Sequence, residues 1–552
     1  MNTEHPLYDV IQIGFGPVSE ILALALARQG RRVAVFERWL ERYPLPRAVC
    51  IDHEVYRMLC ALGLRDQLPA VSHDGPSYRW YNADWKELLA IDWSKESISG
   101  GPEVNFVHQP TLEAMFDDAV RACPNVDLRL GWEAIEVRQT DAYAELVARN
   151  TETGEIQNFR ARYLVGADGA NSMVRAAIGS SREDLGFEAD WLVIDVLPNE
   201  GVTLDIPPAA QYCNPVRPTT IVPAGIKDGR YFRRWEFMRL PHETSAELEH
   251  EHVAWQLLEP WVKRDQATIV RHKVYSFRSL LADTWRKGRL LIAGDAAHVM
   301  PPFMGQGMCA GLRDDWNLAW KLSLVLDGKA GPELLDTYQP ERRPHVRDVI
   351  EMSMFLGKII CIPDPVKAAE RDEAFFSGKV PPPAPFPHLS DGILRRNASG
   401  VVQTSAGLLS PHSHVSHGAE PGSPQGRFDD LVGLGFALIS RNATAVKSLG
   451  AAQRGFLDAL GAKIVLIADA STHETGSTDT VIDLEGKFLP FMQQNGIDTM
   501  LVRPDFYLYG AAATADDVAA LVDDLAADLH RHGVRLASQT APADRPTAAS
   551  AA

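Results

Sequence analysis

The sequence has few of the features that mark membrane, exported or nucleic-acid-binding proteins. No apolar run reaches the roughly 18 residues of a membrane-spanning helix, and the N-terminal residues lack the basic segment and apolar core of a signal peptide. Basic residues are outnumbered: 55 lysines and arginines against 72 acidic residues give a formal net charge of −17. This charge disfavours a nucleic-acid or anionic-membrane surface. We therefore expect a small-molecule substrate and neither a nucleic-acid nor a membrane partner.

Cysteine is also scarce. The chain has 6 cysteines in 552 residues, and no two of them have the Cys-x-x-Cys spacing that is typical of zinc and redox sites. Scattered single cysteines are usual in a reducing compartment. These observations predict no metal site and a cytoplasmic location.

The first 38 residues have the pattern strand, glycine turn, helix, strand. The apolar run Asp9–Ile13 leads into Gly14-Phe15-Gly16-Pro17, a helical stretch follows, and a second apolar run ends at Glu37. This order, with an acid about 20 residues after the first glycine, is typical of dinucleotide-binding folds. Ser19 stands where the fingerprint has its third glycine, and its small side chain still allows close helix packing. We expect pyrophosphate at the helix N-terminus and Glu37 on a ribose hydroxyl.

Two further apolar runs end in turns with an aspartate. The run before Asp168-Gly169 is one, and Leu290–Ala293, which stops at Gly294-Asp295, is the other. After the second turn, Gly305-Gln306-Gly307 opens a helical stretch. Unpaired N–H groups at a helix N-terminus favour an anion or a polarised carbonyl. Taken alone, this last stretch could equally be an ordinary strand-turn-helix corner.

In this order, the three turns resemble the single-component FAD-dependent aromatic hydroxylases of the para-hydroxybenzoate hydroxylase fold. The resemblance extends past Gly311 to Arg342, and within the family it is strongest to the 3-(3-hydroxyphenyl)propionate hydroxylases. It implies an α/β fold: a Rossmann-like FAD-binding domain, an inserted, mostly antiparallel β-sheet substrate domain, and a C-terminal thioredoxin-like domain that has lost its redox cysteines.

Changes in the pattern of apolar and polar residues along the chain indicate the domain boundaries. Residues 187–280 alternate between apolar and polar, as antiparallel strands do. We expect an FAD-binding domain in three parts (1–72, 106–186 and 281–365, the last with long helices), a substrate domain in two parts (73–105 and 187–280), a proline-rich linker (366–427), the thioredoxin-like domain (428–536) and a disordered tail (537–552).

The resemblance implies FAD as the cofactor, with NADH or NADPH as a transient co-substrate, since there is no second glycine fingerprint. The residues implied for the adenosine half are Gly14, Gly16, Pro17, Glu37 and Arg38. Those implied for the flavin half are Arg47, Gln109, Asp295 on the ribitol, and Pro301, Gly305, Gly307 and Met308 beside the isoalloxazine, while Asp168 is implied to serve both the cofactor and the pyridine nucleotide.

The implied reaction is hydroxylation of a phenol by O2 through a flavin C4a-hydroperoxide, which requires exclusion of water and removal of a phenolic proton. His53 is a candidate proton relay, although an exposed histidine without a role is the simpler interpretation. Tyr231 and Tyr275 are candidates to hydrogen-bond the phenolic oxygen, as is Tyr212, or they pack in the sheet.

A few further expectations concern the substrate and its pocket. Arg233 and Arg234 are adjacent on a strand, so at most one can reach a substrate carboxylate. We expect His298 to anchor its turn, and Phe303 and Met304 to form part of the pocket wall. The resemblance favours a monocyclic phenol with an acidic side chain, similar to 3-(3-hydroxyphenyl)propionate, and allows a homodimer.

Three alternatives remain at this point. One is a hydroxylase of a larger polycyclic phenol. Another is a flavin halogenase or reductase on the same fold, although the Trp-x-Trp-x-x-Pro element of the halogenases is absent. The third is a non-catalytic FAD-binding protein, and the helix N-terminus after Gly305 argues against it because such a site stabilises the charge of reduced flavin.

Overall fold

The computed structural model describes residues 7–418, 422–469 and 480–536. Its contacts divide the chain into two compact units. The first consists of Met1–Ala319 and Arg342–Pro387, and the second of Trp320–Glu341 and His388–Ala552. The predicted tail, 537–552, lies outside the described residues. Within the described ranges, no helix is long and apolar enough to cross a membrane.

A parallel sheet forms the base of the first unit. Tyr8–Ile13 lies in the middle and pairs in parallel with Val33–Glu37 on one side and Ile156–Gly166 on the other. The strand order is Arg286–Lys287, Leu290–Ile292, Ile156–Gly166, Tyr8–Ile13, Val33–Glu37 and Val126–Leu130, and Ala144–Asn150 and Trp132–Gln139 continue antiparallel from Ile156–Gly166. Because carboxyl ends of parallel strands share one edge, all three predicted turns meet there.

Helices pack around this sheet for reasons that are visible in the sequence. Pro17–Arg28 begins with proline at its first position and buries most of its residues. Ser19 lies against the amide of Gln12 at 2.6 Å, so a serine is accommodated in place of the third glycine. The other helices with residues in this unit are His53–Ala61, Leu68–Val71, Gln109–Arg121, Met173–Ile178, Ser245–Leu248, Glu251–Leu258, Gly307–Leu326, Tyr338–Ile360 and Pro365–Phe376.

An eight-stranded sheet forms the predicted substrate lobe. Its order is His298–Val299, Ala267–Ala282, Arg182–Pro198, Arg230–Met238, Thr219–Lys227, Ala210–Tyr212, Ser77–Tyr81 and Glu87–Asp92. All neighbours are antiparallel except Ala210–Tyr212 with Ser77–Tyr81, so the mostly antiparallel prediction is confirmed. A small sheet of Cys50–Asp52, Val104–Val107 and Ser72–Asp74 lies in the same unit.

The two faces of the eight-stranded sheet differ in character. One face carries Ile194, Trp235 and Phe237 and packs against Glu251–Leu258, a helix that the sequence analysis missed. We call the opposite face, defined by Trp191, Asp195, Arg234 and Glu236, the inner face. Side chains of a strand alternate between faces, and Asp195 lies directly opposite Arg234 in the strand register.

The second unit contains a seven-stranded mixed sheet. Its order is Gln425–Arg427, His414–His417, Thr480–Asp483, Lys463–Ala468, Ala437–Ser440, Thr499–Val502 and Leu508–Ala512. Its helices are Phe428–Val432, Ala443–Lys447, Ala451–Leu460, Phe488–Gln494 and Val518–Arg531. Ala437–Ser440 pairs in parallel with Lys463–Ala468 and antiparallel with Thr499–Val502, as in thioredoxin folds. The last cysteine of the chain is Cys361, so this domain carries no redox pair.

A buried ion network stabilises the second unit. Lys321 Nζ and an Arg503 guanidinium nitrogen donate to the same Glu341 oxygen, at 2.7 and 2.6 Å. Arg503 also pairs with Asp505, and all four side chains are buried. Burial lowers the pKa of Lys321 to about 8, although Glu341 acts in the opposite direction. Glu341 is therefore the carboxylate that compensates two buried cations.

The Glu341→Gln variant is expected to be destabilised by about 3–5 kcal/mol, because the two cations would stay buried without their shared carboxylate. Differential scanning calorimetry of the purified protein measures this effect. Asp524→Asn is the matched control, since Asp524 pairs with Arg395 but is half-exposed, and we expect at most about 1 kcal/mol there. Equal thermal shifts for the two variants would contradict the assigned role of Glu341.

Candidate functional site

The glycine turn lies at the carboxyl edge of the central strand. Gly14 has φ +97°, and a Cβ there would lie 2.4 Å from the Ala167 carbonyl oxygen, so only glycine is accommodated. Gly16 caps the helix Pro17–Arg28 without a side-chain hydrogen bond, and nothing lies within 4 Å of where its Cβ would be. The helix N-terminus therefore faces open space, as phosphate-binding turns do.

Glu37 lies beside this turn at the end of the neighbouring strand. One of its oxygens accepts from the Phe15 N–H at 3.0 Å and the other accepts from the Trp39 N–H at 3.1 Å. The guanidinium of Arg38 stacks over the Trp39 ring at 5.2 Å. The predicted adenosine-side residues are thus together at one edge of the sheet.

Gln109 fixes the backbone of the loop that carries Arg47. Its Oε1 accepts from the N–H groups of Arg47 and Ala48, at 2.8 and 2.5 Å. Gln109 is buried, whereas Arg47 is exposed with its guanidinium 5.5 Å from the centre of the Tyr43 ring. Gln109 therefore positions Arg47 through the main chain.

Asp168 closes the second turn. One oxygen accepts from the Met173 and Val174 N–H groups, at 2.7 and 3.2 Å, while buried Oδ1 has no hydrogen-bond partner among the described residues. Burial raises the pKa of this carboxyl. Arg175 donates to the carbonyls of Ala170 and Ala296 and so holds the second and third turns together.

The third turn exposes a single carboxylate. Asp295 is exposed, whereas all other residues of 290–298 are buried. An aspartate held on a rigid, buried turn and directed to solvent is available to a ligand hydroxyl. The first and third turns also pack closely together. A Cβ at Gly294, the residue before Asp295, would lie 2.9 Å from Val18 of the first helix.

Asp314 stabilises the third turn from inside the protein. One of its oxygens accepts from the Gly294 N–H at 3.1 Å and lies 2.6 Å from His298 Nε2, and the other accepts from Arg342 Nε at 2.9 Å. All of these side chains are buried. His298 thus anchors the turn, in agreement with the sequence analysis.

The segment 301–308 leads from this turn into the long helix. Gly305 has φ +65°, and a Cβ there would lie 2.5 Å from Cys50 Sγ. The helix begins at Gly307, and half-buried Met308 lies in its first turn. The Pro301 carbonyl accepts from the Ser353 hydroxyl at 3.0 Å, and the Phe303 ring packs edge-on against Trp191. Backbone atoms of this segment therefore lie beside the inner face of the substrate lobe.

The inner face carries a buried charge cluster. Arg234 Nε and Nη2 donate to the two Asp195 oxygens, at 2.6 and 3.1 Å, and Arg271 Nε lies 2.8 Å from the same carboxylate. Arg271 also donates to the Tyr275 hydroxyl at 3.0 Å, and burial raises the pKa of Tyr275. The cluster also includes Glu236, whose Oε1 lies 3.8 Å from Arg234 Nη1.

Arg234 and Tyr275 were predicted from the sequence, whereas Asp195, Glu236 and Arg271 were not. The alternation of strands 182–198 and 230–238 shows which residues share a face, but charged residues on a strand are usually solvent-exposed. Only the register, which puts Asp195 opposite both Arg234 and Arg271, reveals the buried cluster.

Two candidates for the substrate side lie elsewhere. Tyr231 is 55% exposed and packs edge-on against His73, and Tyr212 donates to the Ala83 carbonyl and stacks on Trp85. These positions do not favour contact with a substrate. His53 begins its helix and bonds the Ser99 hydroxyl at 3.0 Å, with Glu103 3.7 Å away; its relay role stays a prediction.

Comparison with known proteins agrees with this geometry. Residues 7–353 match the family described as an FAD binding domain, and residues 407–528 match the HcaD C-terminal domain. The chain is 34% identical to a probable NADH-specific resorcinol 4-hydroxylase of Rhodococcus jostii, over 94% of each chain. It is 31% identical to a 3-(3-hydroxy-phenyl)propionate/3-hydroxycinnamic acid hydroxylase of Comamonas testosteroni, over 95% of this chain and 97% of the relative.

The chain belongs to the FAD-dependent aromatic hydroxylases. Among solved structures, this hydroxylase is similar to the flavin-dependent monooxygenase PieE, with a TM-score of 0.75 and 20% identity, over 96% of this chain and 100% of that one. Aklavinone-11 hydroxylase gives a TM-score of 0.74 and 23% identity, with the same coverage. The predicted fold class is thereby confirmed.

The hydroxylase uses FAD, takes its reducing equivalents from a nicotinamide nucleotide, and acts on a phenolic substrate with O2. The enzyme interpretation is thus confirmed over the non-catalytic alternative. Its residues fit the cofactor: Gly16 leaves a helix N-terminus open for phosphate, Asp295 is exposed on a buried turn, and one buried Asp168 oxygen has no partner among the residues that the structure describes.

Proposed function

We propose that this hydroxylase acts on a neutral monocyclic phenol of the resorcinol type, with NADH as reductant. The observation that carries the proposal is the charge balance of the inner face. Arg234 and Arg271 share Asp195, and Glu236 adds a second carboxylate beside Arg234. A substrate carboxylate would compete with two protein carboxylates for guanidinium groups that are already engaged. A neutral phenol avoids this repulsion.

The relative that is 34% identical carries both parts of this proposal in its name, which specifies resorcinol and NADH. A second candidate substrate, 3-(3-hydroxyphenyl)propionate, is favoured by the names of several relatives at 30–32% identity. It agrees with the acidic side chain expected from the sequence. The second candidate has a propionate side chain where resorcinol has a second hydroxyl, and the carboxylate of that side chain is the group that the inner face disfavours.

The roles of the cofactor residues are part of the proposal. Gly14 and Gly16, with Pro17, bind pyrophosphate through the helix N-terminus, Glu37 accepts from a ribose hydroxyl, and Arg38 flanks the adenosine. FAD, when bound, accepts hydride from the nicotinamide and activates O2. Asp295 accepts from a ribitol hydroxyl. Arg47, held by Gln109, contacts the flavin half, and Asp168 serves the cofactor and the pyridine nucleotide.

The segment 301–308 has its own role in the proposal. The N–H groups of Gly307 and Met308, at the start of the long helix, stabilise negative charge on the flavin ring. Pro301 and Gly305, whose own N–H donates to the Pro302 carbonyl at 2.8 Å, flank the same ring. Trp191 and Phe303 exclude water from the ring that is hydroxylated. Tyr275, whose hydroxyl accepts from Arg271, is the tyrosine best placed near the substrate.

A substrate panel tests the proposed function. The purified hydroxylase with FAD is supplied with resorcinol, phenol, 3-hydroxybenzoate or 3-(3-hydroxyphenyl)propionate, and NADH oxidation is measured together with product formation. We expect kcat/KM for resorcinol to exceed that for the propionate by about 100-fold, because unfavourable charge contacts cost a few kcal/mol. A preference for the acid would contradict the proposal.

The cellular setting is also proposed. All six cysteines are free thiols, which supports the cytoplasm as the place of action. A homodimer remains a prediction, and sedimentation velocity of the FAD-loaded protein distinguishes it from a monomer.

A further inference from the structure

Glu236 lies on the inner face between the two segments that flank the flavin position. Arg234, Glu236 and Met238 share this face because they alternate along one strand. Arg234 donates to the carbonyls of Pro46 and Arg47, at 3.0 and 2.6 Å. At the other end, Met238 lies opposite Trp191, whose ring packs on Phe303. Glu236 is thus placed between the Arg47 loop and segment 301–308.

The Glu236 carboxylate is largely buried and accepts no hydrogen bond from the described residues. The residue is 8% exposed and its side chain 10%, so the carboxylate retains a small opening through which a ligand donor can reach it. The nearest cation, Arg234 Nη1, is 3.8 Å away and directs its hydrogen bond to the Arg47 carbonyl. Burial raises the pKa of Glu236, against the opposing effect of Arg234.

A buried carboxylate that lacks hydrogen bonds is costly to a folded protein, and a ligand donor offsets that cost. The neighbours of Glu236 do not supply the donor. Val193 lies opposite it in the strand register, and across the other strand Thr220, also opposite, donates its hydroxyl to Gln211. The side chains that flank Glu236 in the sheet are therefore apolar or already engaged.

We propose that Glu236 accepts a hydrogen bond from a hydroxyl group of the phenolic substrate. The inference rests on the proposed function and names the residue that recognises the neutral phenol. A site built around a buried acceptor strongly rejects an analogue that lacks the matching O–H group, because the acceptor is then left unpaired. Glu236 thus selects a free phenolic hydroxyl over its methyl ether.

The test compares the binding of resorcinol with that of 1,3-dimethoxybenzene, which has no free hydroxyl, in the FAD-loaded wild type, Glu236→Gln and Glu236→Leu. The dissociation constant is taken from the change in the flavin spectrum, and kcat and KM from product formation. Glu188→Gln is the matched control, because Glu188 is an exposed glutamate on the neighbouring strand of the same sheet.

We expect Glu236→Leu to bind resorcinol about 10- to 100-fold more weakly, and to distinguish it from 1,3-dimethoxybenzene by less than about threefold. Glu236→Gln keeps an acceptor, so it should lose affinity for resorcinol but keep part of the discrimination. The control should match wild type. The proposal is overturned if both Glu236 variants bind and discriminate as wild type does. If Glu236→Leu does not fold, unchanged discrimination and affinity in Glu236→Gln overturn the proposal by themselves.

Failure of this proposal is distinguishable from failure of the proposed function. Wild-type turnover of the substrate panel decides between a neutral phenol and an acidic one before any variant is made. If the acid is preferred, the same comparison is made with 3-(3-hydroxyphenyl)propionate and its methyl ether. Loss of discrimination in Glu236→Leu would then support Glu236 even though the neutral substrate class had failed.

Discussion

The Asp314→Ala variant is expected to purify largely without FAD and to lose about 3–5 kcal/mol of stability, as when one partner of a buried ion pair is removed. Asp314 contacts the Gly294 N–H, His298 and Arg342 at once. Its removal leaves these groups buried without an acceptor and releases the turn that carries Asp295. Flavin content by absorbance and urea unfolding measure the two effects.

The Asp314 interaction also predicts a pH dependence. Burial alone would raise the pKa of Asp314, but His298 and Arg342 together lower it. A carboxyl with a lowered folded-state pKa stabilises the protein above its unfolded pKa of about 3.9, and this contribution is lost as the pH falls through the folded value. The difference in unfolding free energy between wild type and Asp314→Asn should therefore be full at neutral pH and shrink below about pH 4.

An exposed aspartate serves as the control for position 314. Asp184 is about half-exposed, and its contact with Arg278 is long, at 3.5 Å. Asp184→Asn should therefore change stability by less than about 1 kcal/mol. An Asp314→Ala protein with full flavin content and wild-type stability would show that the third turn does not depend on this carboxylate.

The Gly14→Ala variant is expected to lose FAD binding by at least about 100-fold, equivalent to some 3 kcal/mol. Its Cβ would lie 2.4 Å from the Ala167 carbonyl oxygen, and φ at Gly14 is +97°. To relieve that contact, the Gly14 turn must move away from the turn that carries Asp168. This movement would displace the backbone that is proposed to bind the cofactor phosphates. Titration of the apoprotein with FAD, followed by flavin fluorescence, measures the loss.

Gly30→Ala separates backbone strain from the steric effect. Gly30 also has a positive φ, +78°, but nothing lies within 4 Å of its Cβ position. Strain alone should cost about 1–2 kcal/mol of stability and leave FAD affinity unchanged. Equal FAD affinity in the Gly14 and Gly30 variants would contradict the proposed place of the pyrophosphate.

The cofactor side of the site was predictable because its signals are local. Gly14, Asp168 and Asp295 each lie within three residues of the end of an apolar strand, and parallel strands bring such turns to one edge. The central strands of the thioredoxin-like domain were predictable for the same reason. Four others were missed: His414–His417 and Gln425–Arg427, which lie in the predicted linker, Thr480–Asp483, and the last strand, Leu508–Ala512. That strand is a short run of small residues and tyrosine without clear alternation.

The substrate side depends on contacts that are distant in the sequence. Asp195 meets Arg234 and Arg271 only through the pairing of three strands, and no local pattern identifies the partner of a charged strand residue. Tyr231 illustrates the same limit: its place in an alternating strand is visible in the sequence, but its exposure beside the turn at Gly229 is not. Its contact with the phenolic oxygen stays a prediction. Strand alternation separates faces but does not show which face meets the cofactor.

Incorporation of labelled oxygen distinguishes a phenol hydroxylase from an enzyme that only oxidises NADH. The FAD-loaded hydroxylase is incubated with NADH, resorcinol and ¹⁸O₂, and the product is analysed by mass spectrometry. We expect phenol-stimulated NADH oxidation and one ¹⁸O atom in each molecule of hydroxylated product. NADH oxidation that is independent of the phenol and yields only hydrogen peroxide, with no labelled product from any phenol of the panel, would contradict this expectation.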